Sequence, residues 1–135
     1  MIYLLDTNAC IHYLNREDSP VRCRMEQLRP RDVLICSIVK AELYYGVFRS
    51  KHRTGNMEKL DAFFSILQSL TFDDAAALVY GQIRSDLAAK GTPIGPNDLA
   101  IASIAVSQKA TLVTNNTGEF SRVTGLQLED WQTEG

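Results

Sequence analysis

Short apolar runs alternate with amphipathic stretches along the whole chain. Ile2-Tyr3-Leu4-Leu5 ends abruptly at Asp6-Thr7-Asn8, the pattern of a buried strand followed by a polar turn that opens a helix through about Leu14. Ser19-Pro20 predicts a helix start, with serine as cap and proline in the first turn. Val33-Leu34-Ile35-Cys36 predicts a second buried strand, and Ser37 can cap the helix that follows. Val39, Leu43, Tyr44 and Val47 share one side of that helix. Lys51 to Asn56 reads as a polar, basic loop. Met57 to Leu67 reads as a helix with Leu60, Phe63, Phe64 and Leu67 on its apolar face.

Leu70-Thr71-Phe72 predicts a short third strand. Asp73-Asp74 caps a long helix, roughly Ala75 to Lys90, closed by Gly91. Thr92-Pro93-Ile94-Gly95-Pro96 is stiff and non-helical. Asn97-Asp98 begins an alanine-rich apolar helix, Leu99 to Val106. Thr111 to Thr114 is a buried strand, Asn115-Asn116-Thr117-Gly118 a turn, and Leu126-Gln127-Leu128 a final short strand. Apolar strands alternating with helices predict an α/β fold with a central, mainly parallel sheet and helices on both faces. Such folds place sites at the carboxyl ends of strands. Asp6, Asn115 and Asn116 fall there.

The chain has 135 residues and no repeat or linker, so a single domain spanning 1–135 is expected. No basic leader precedes the apolar start and no stretch is long and apolar enough to cross a membrane, which predicts a cytoplasmic protein. Three cysteines, Cys10, Cys23 and Cys36, form no CxxC pair and indicate neither disulfides nor a thiolate zinc site. A net charge of -2 argues against a general nucleic-acid-binding module. It leaves room for an enzyme that gathers carboxylates at a site and basic residues at its rim.

Four acids stand out by position: Asp6, Glu42, Asp98 and Glu119. Each lies at a strand end or a helix start beside very apolar sequence, and such positions can converge at one sheet edge. Hard cations such as Mg2+ and Mn2+ take oxygen ligands, and a carboxylate-bound cation can drive phosphodiester hydrolysis. Each acid also has a purely structural reading. Asp6 and Asp98 can be helix caps, Glu42 a solvated residue favouring a positive helix start, and Glu119 a surface charge. Asn8, Thr114, Asn115 and Asn116 can hydrogen-bond the carboxylates or serve only as turn residues. Thr7 and Ser37 are further supporting candidates.

These residues lie in segments that resemble the four motifs of the PIN-domain ribonucleases: LLDTN at 4–8, SIVKAELYYG at 37–46, GTPIGPNDLAIA at 91–102 and LVTNNTGEF at 112–120. Within that family the chain is most similar to the VapC toxins of type II toxin–antitoxin systems, and the likeness extends to GLQLEDW at 125–131. The resemblance implies a three-layer α/β/α fold and Mg2+- or Mn2+-dependent cleavage of RNA. Asp6, Glu42 and Asp98 match the family's first three acids, with Asp6 and Asp98 as principal metal ligands. Many relatives carry Asp where this chain has Asn116. One VapC subgroup instead has TNN followed by Glu, which assigns the fourth acidic role to Glu119 with Asn116 assisting.

The same resemblance implies a cognate VapB-type antitoxin seated in a groove near Glu42, with Tyr44, Tyr45, Val47 and Phe48 as candidate contacts, and a homodimer. It points to structured RNA as substrate, with the anticodon loop of initiator tRNA as one such target. Two basic clusters, Arg49-Lys51-His52-Arg53 and Arg22-Arg24-Arg29-Arg31, can contact phosphates or be ordinary solvated residues. The alternatives are a metal-dependent DNA nuclease and a PIN-like binding domain without catalysis.

Overall fold

The computed structural model of the chain describes residues 1–133. Five strands, β1 (Tyr3–Leu5), β2 (Val33–Cys36), β3 (Gln68–Leu70), β4 (Thr111–Val113) and β5 (Leu128–Glu129), form one sheet in the order β3-β2-β1-β4-β5. Every pairing is parallel: Leu4 faces Leu34 on one side and Leu112 on the other. The expected mainly parallel sheet is thus wholly parallel. β1, β2 and β4 are buried at every position, as strands covered on both faces must be.

Seven helices connect the strands: α1 (Thr7–Asn15), α2 (Pro20–Glu26), α3 (Ser37–Arg49), α4 (Arg53–Ser65), α5 (Asp74–Ala89), α6 (Pro96–Gln108) and the single turn α7 (Thr117–Phe120). The chain winds outward from β1 through β2 to β3, then crosses back over α5 and α6 to β4 on the far side of β1. Right-handed crossovers in opposite directions put helices on opposite faces. The sheet therefore reverses its winding between β1 and β4, and the carboxyl ends of these two strands leave a crevice.

α6 is the most deeply buried helix, with Leu99 to Ala105 all in the core. Alanines at 100, 102 and 105 let it approach its neighbours, and the Ser103 hydroxyl donates back to the Leu99 carbonyl at 2.6 Å. At the other edge, Trp131 packs on Tyr3 with ring centroids 5.1 Å apart. The Arg24 guanidinium lies over both rings, 6.0 and 5.6 Å from their centroids, and pairs with Glu129 at 3.7 Å. Among the described residues no helix is long and apolar enough to cross a membrane.

Several boundaries depart from the sequence expectation. Cys36, not Ser37, caps α3, and Ser37 is its first residue. Arg53 to Asn56, expected in a loop, form the first turn of α4. Polarity there reflects an exposed helix face. Pro96 belongs to α6, where its fixed φ suits the first helical position, and Gly95 is the cap. Thr117 and Gly118 are helical rather than turn residues, capped by Asn116. β3 and β5 lie within two residues of the expected strands.

The Trp131 stack ties the end of the described chain to the central strand, and Trp131 is only 5% exposed. Trp131→Ala should lower the unfolding free energy by about 3–5 kcal/mol, read as a shifted urea midpoint. A loss below about 1 kcal/mol would show that this segment lies outside the cooperative fold.

Candidate active site

The crevice between β1 and β4 is built from the residues that end those strands. The Asp6 amide continues the ladder by donating to the Val113 carbonyl at 3.0 Å. Its side chain then caps α1, accepting from the Ala9 amide at 2.8 Å. Capping and a chemical role coexist here, because one carboxylate has more acceptor sites than a cap uses. Asp6 is only 5% exposed. Burial pushes its carboxyl pKa above the usual range, and the charges of Glu42 and Asp130 add to this, against the Thr114 hydroxyl and the Ala9 amide, which favour the ionised form.

Glu42 stands in the second turn of α3, away from the helix start, so a favourable helix-terminus contact does not explain it. It accepts from the Thr7 hydroxyl at 2.7 Å across a sequence separation of 35. That bond ties α3 to the first residue of α1 and makes Thr7 a supporting residue. Asp98 is the third residue of α6, and the cap position belongs to Gly95, so the capping explanation fails for Asp98. Burial, then the charge and carboxyl group of Glu119, raise its pKa from an ordinary 3.8 to about 6; Glu42 and Asp6 contribute further. Glu119 lies in α7 and is held from two sides. The Asn116 amide donates to it at 2.7 Å and the Gly95 backbone amide at 3.3 Å.

All four predicted acids therefore act on one another electrostatically through Asp98. Thr114 is fully buried, supports Asp6 and accepts from the Asn116 amide at 2.9 Å, which aims Asn116 at Glu119. Asn8 and Asn115 make no hydrogen bond to the acids among the described residues; both face a separate cleft with His12 and Arg16. Ser37 is exposed at the start of α3. Sequence reasoning missed two participants. Asp130 follows β5 as Asp6 follows β1, and the strand-end rule could have found it. The Gly95 amide carried no signal, since a backbone donor has no letter in the sequence.

The donor set is all oxygen, without thiolate or imidazole, which is the chemistry of a hard divalent cation. No ion pair to Lys or Arg neutralises any of the four acids among the described residues. Nor are three of them closed into a ready ligand cage. Charge is concentrated without a counter-charge, and burial together with that charge makes Asp98 hold a proton more tightly. The residues fit a cation that would draw the carboxylates together and displace that proton.

A groove of about 760 Å³ leads away from Glu42 between α1, α3 and α4, lined by Leu14, Tyr45, Val47 and Leu60 with Arg49 and Lys59 among them. Tyr44 instead packs on Phe64, and Phe48 is exposed outside the groove. Three arginines of the second basic cluster have partners of their own. Arg22 lies over Tyr13 and donates to its carbonyl, Arg24 pairs with Glu129, and Arg29 pairs with Asp32. Cys10 and Cys36 are buried with raised thiol pKa values, as inert packing residues should be, and Cys23 is free and exposed.

Because the folded pKa of Asp98 lies above its ordinary 3.8, protonation favours the metal-free fold. That contribution is complete below about pH 4 and is lost as pH rises through about 6. Asp98→Asn should stabilise the protein in EDTA at pH 8 by about 1 kcal/mol, after screening of a half-exposed group, and leave pH 4 stability nearly unchanged. Urea midpoints at the two pH values check this; equal shifts at both would refute the charge explanation.

The PIN domain family matches residues 3–126. Ribonuclease VapC2 of Rickettsia felis is 46% identical over 132 residues, covering 97% of this chain and 98% of the relative. The tRNA(fMet)-specific endonuclease VapC of Salmonella typhimurium is 41% identical, covering 96% of this chain and 97% of that protein. In the solved VapBC2 from Rickettsia felis, bound to a DNA fragment from its promoter, the matching chain has a TM-score of 0.92 and 45% identity, covering 97% and 99% of the two chains. The acids of the crevice thus sit in a chain that belongs to the PIN-domain family, among its VapC ribonucleases.

Proposed function

We propose that the chain is a metal-dependent endoribonuclease and the toxin of a toxin–antitoxin pair. The observation that carries this reading is the meeting of Asp6, Glu42, Asp98 and Glu119, from four separate elements, without a cationic partner among the described residues. Asp6 and Asp98, with Glu42 and Glu119, would hold Mg2+ or Mn2+. When bound, the cation supplies positive charge to the phosphoryl oxygens and makes water easier to deprotonate. Thr7 orients Glu42, and Asn116 with the Gly95 amide orients Glu119. Thr114 favours the ionised form of Asp6 against the effect of its burial. Hydrolysis by water leaves a 5′-phosphate and a 3′-hydroxyl.

The substrate is structured RNA, and the Salmonella typhimurium relative's name supports initiator tRNA, cut in the anticodon loop. Unpaired loop bases can be splayed out and read, which a paired stem does not allow. A cognate VapB-type antitoxin restrains the enzyme, in line with the VapBC assembly of the Rickettsia felis relative. The groove leading from Glu42 offers its tail an apolar floor at Leu14, Val47 and Leu60. The protein works in the cytoplasm as a homodimer within that complex.

Antitoxin-free protein should cut total tRNA into defined fragments with Mg2+ and not with EDTA. Asp6→Ala should reduce the rate by ~10²–10³-fold, the loss expected when several kcal/mol of charge stabilisation disappear. Fragments ending in a 2′,3′-cyclic phosphate would reject attack by water, and equal cutting of matched DNA would reject the RNA assignment. Asn116→Ala should cost about 10–100-fold, as loss of a residue that orients a ligand does. An unchanged rate would remove Glu119 from the site.

A further inference from the structure

A second cleft lies on the opposite flank of α1 from the groove that holds Glu42. Its volume is about 420 Å³, and Asn8, His12, Arg16, Asn115 and Gln132 line it. That size lies within the ~300–1,000 Å³ range of small-molecule sites. Ile11 and Asn15 belong to both clefts, so α1 stands as a ridge between them. Asn8 follows Asp6 by two residues, and Asn115 follows Thr114, whose hydroxyl supports Asp6. The cleft is therefore bounded by the chain just beyond Asp6 and Thr114, and none of the four acids lines it.

Its lining has the chemistry of base recognition. Asn8, Asn115 and Gln132 are carboxamides, each offering a donor pair and an acceptor that match the edges of an unpaired nucleobase. The Gln132 Nε2 is buried without a hydrogen-bond partner among the described residues. The main-chain amide of Gln132 donates to the Asp130 carboxylate at 2.9 Å, which anchors the chain at the cleft's edge. The His12 Nδ1 is engaged by the Ser19 hydroxyl at 2.6 Å, which leaves Nε2 for a ligand. Arg16 brings positive charge. Its partner Asp18 is 81% exposed and 3.3 Å away, a contact that a phosphate can readily replace.

We propose that this cleft binds an unpaired ribonucleotide adjoining the scissile phosphate, with the carboxamides reading its base and Arg16 meeting its phosphate. The cleft then sets the nucleotide preference beside the cut. This rests on the ribonuclease reading of the carboxylates, and it gives that reading a recognition subsite.

The test uses the full chain in EDTA, irradiated with short single-stranded RNAs of random sequence carrying one 4-thiouridine, with adducts mapped by mass spectrometry. Adducts are expected at Asn8, His12 or Arg16, or beside Asn115 and Gln132. The double variant Asn115→Ala/Gln132→Ala should lower them about fivefold or more, the loss expected for base-reading contacts. Adducts confined to α3 and α4, adducts unchanged in the double variant, or no adducts at all would overturn the proposal. Cleavage is not read, so a protein that binds RNA here but fails to cut it with Mg2+ keeps the subsite and loses the ribonuclease reading. In the cleaving protein, a randomised RNA pool gives the second readout. Cuts by the double variant should spread evenly over the four nucleotides, and a retained preference would place recognition elsewhere.

Discussion

Mutual repulsion among carboxylates is the force that the rest of this molecule is arranged to withstand. Asp6, Glu42, Asp98 and Glu119 come from four elements that meet only where the sheet reverses its winding between β1 and β4. Like charges gathered in one crevice repel one another and weaken the fold that holds them. The surrounding structure offsets this with directed hydrogen bonds: Ala9 to Asp6, Thr7 to Glu42, and Asn116 with Gly95 to Glu119. Beneath them lies a buried floor of strand and α6 side chains.

The positive residues are distributed to the same end. Arg22 and Arg24 spend their charge on aromatic faces, and Arg24 also pairs with Glu129. Arg49 lies over Tyr45, 4.7 Å from its ring, along the groove that leads out from Glu42. Net charge therefore conveys little about function, because position decides what each charge does.

Much of this was legible in the sequence. Strands buried on both faces announce themselves as unbroken apolar runs, so β1, β2 and β4 were visible as Tyr3–Leu5, Val33–Cys36 and Thr111–Val113. Asp6 stood out because it ends an apolar run at the close of β1, whereas Glu42 lies inside α3, away from either end. Arg53 to Asn56 were not recognisable as helix, since an exposed first turn carries no apolar period. Asn116 read as a turn residue because the helix it caps is one turn long. Asp98 could not be separated from a cap by its letter alone; only the position of Gly95 decides it. The cleft of Asn8 and Gln132 joins residues from opposite ends of the chain, which no local pattern encodes.

The register of the central strand has a consequence for how the protein comes into being. β1 is made among the first residues, but its neighbour β4 is made only at Thr111–Val113, and Thr114 is itself held by the Glu129 carbonyl. A ribosome adding residues one by one at ~5–20 per second exposes the early half of the crevice for several seconds before the other half exists. Through that interval Asp6 and Glu42 have no Asp98 or Glu119 to work with. The crevice is complete, with all four acids in place, only when synthesis is nearly over.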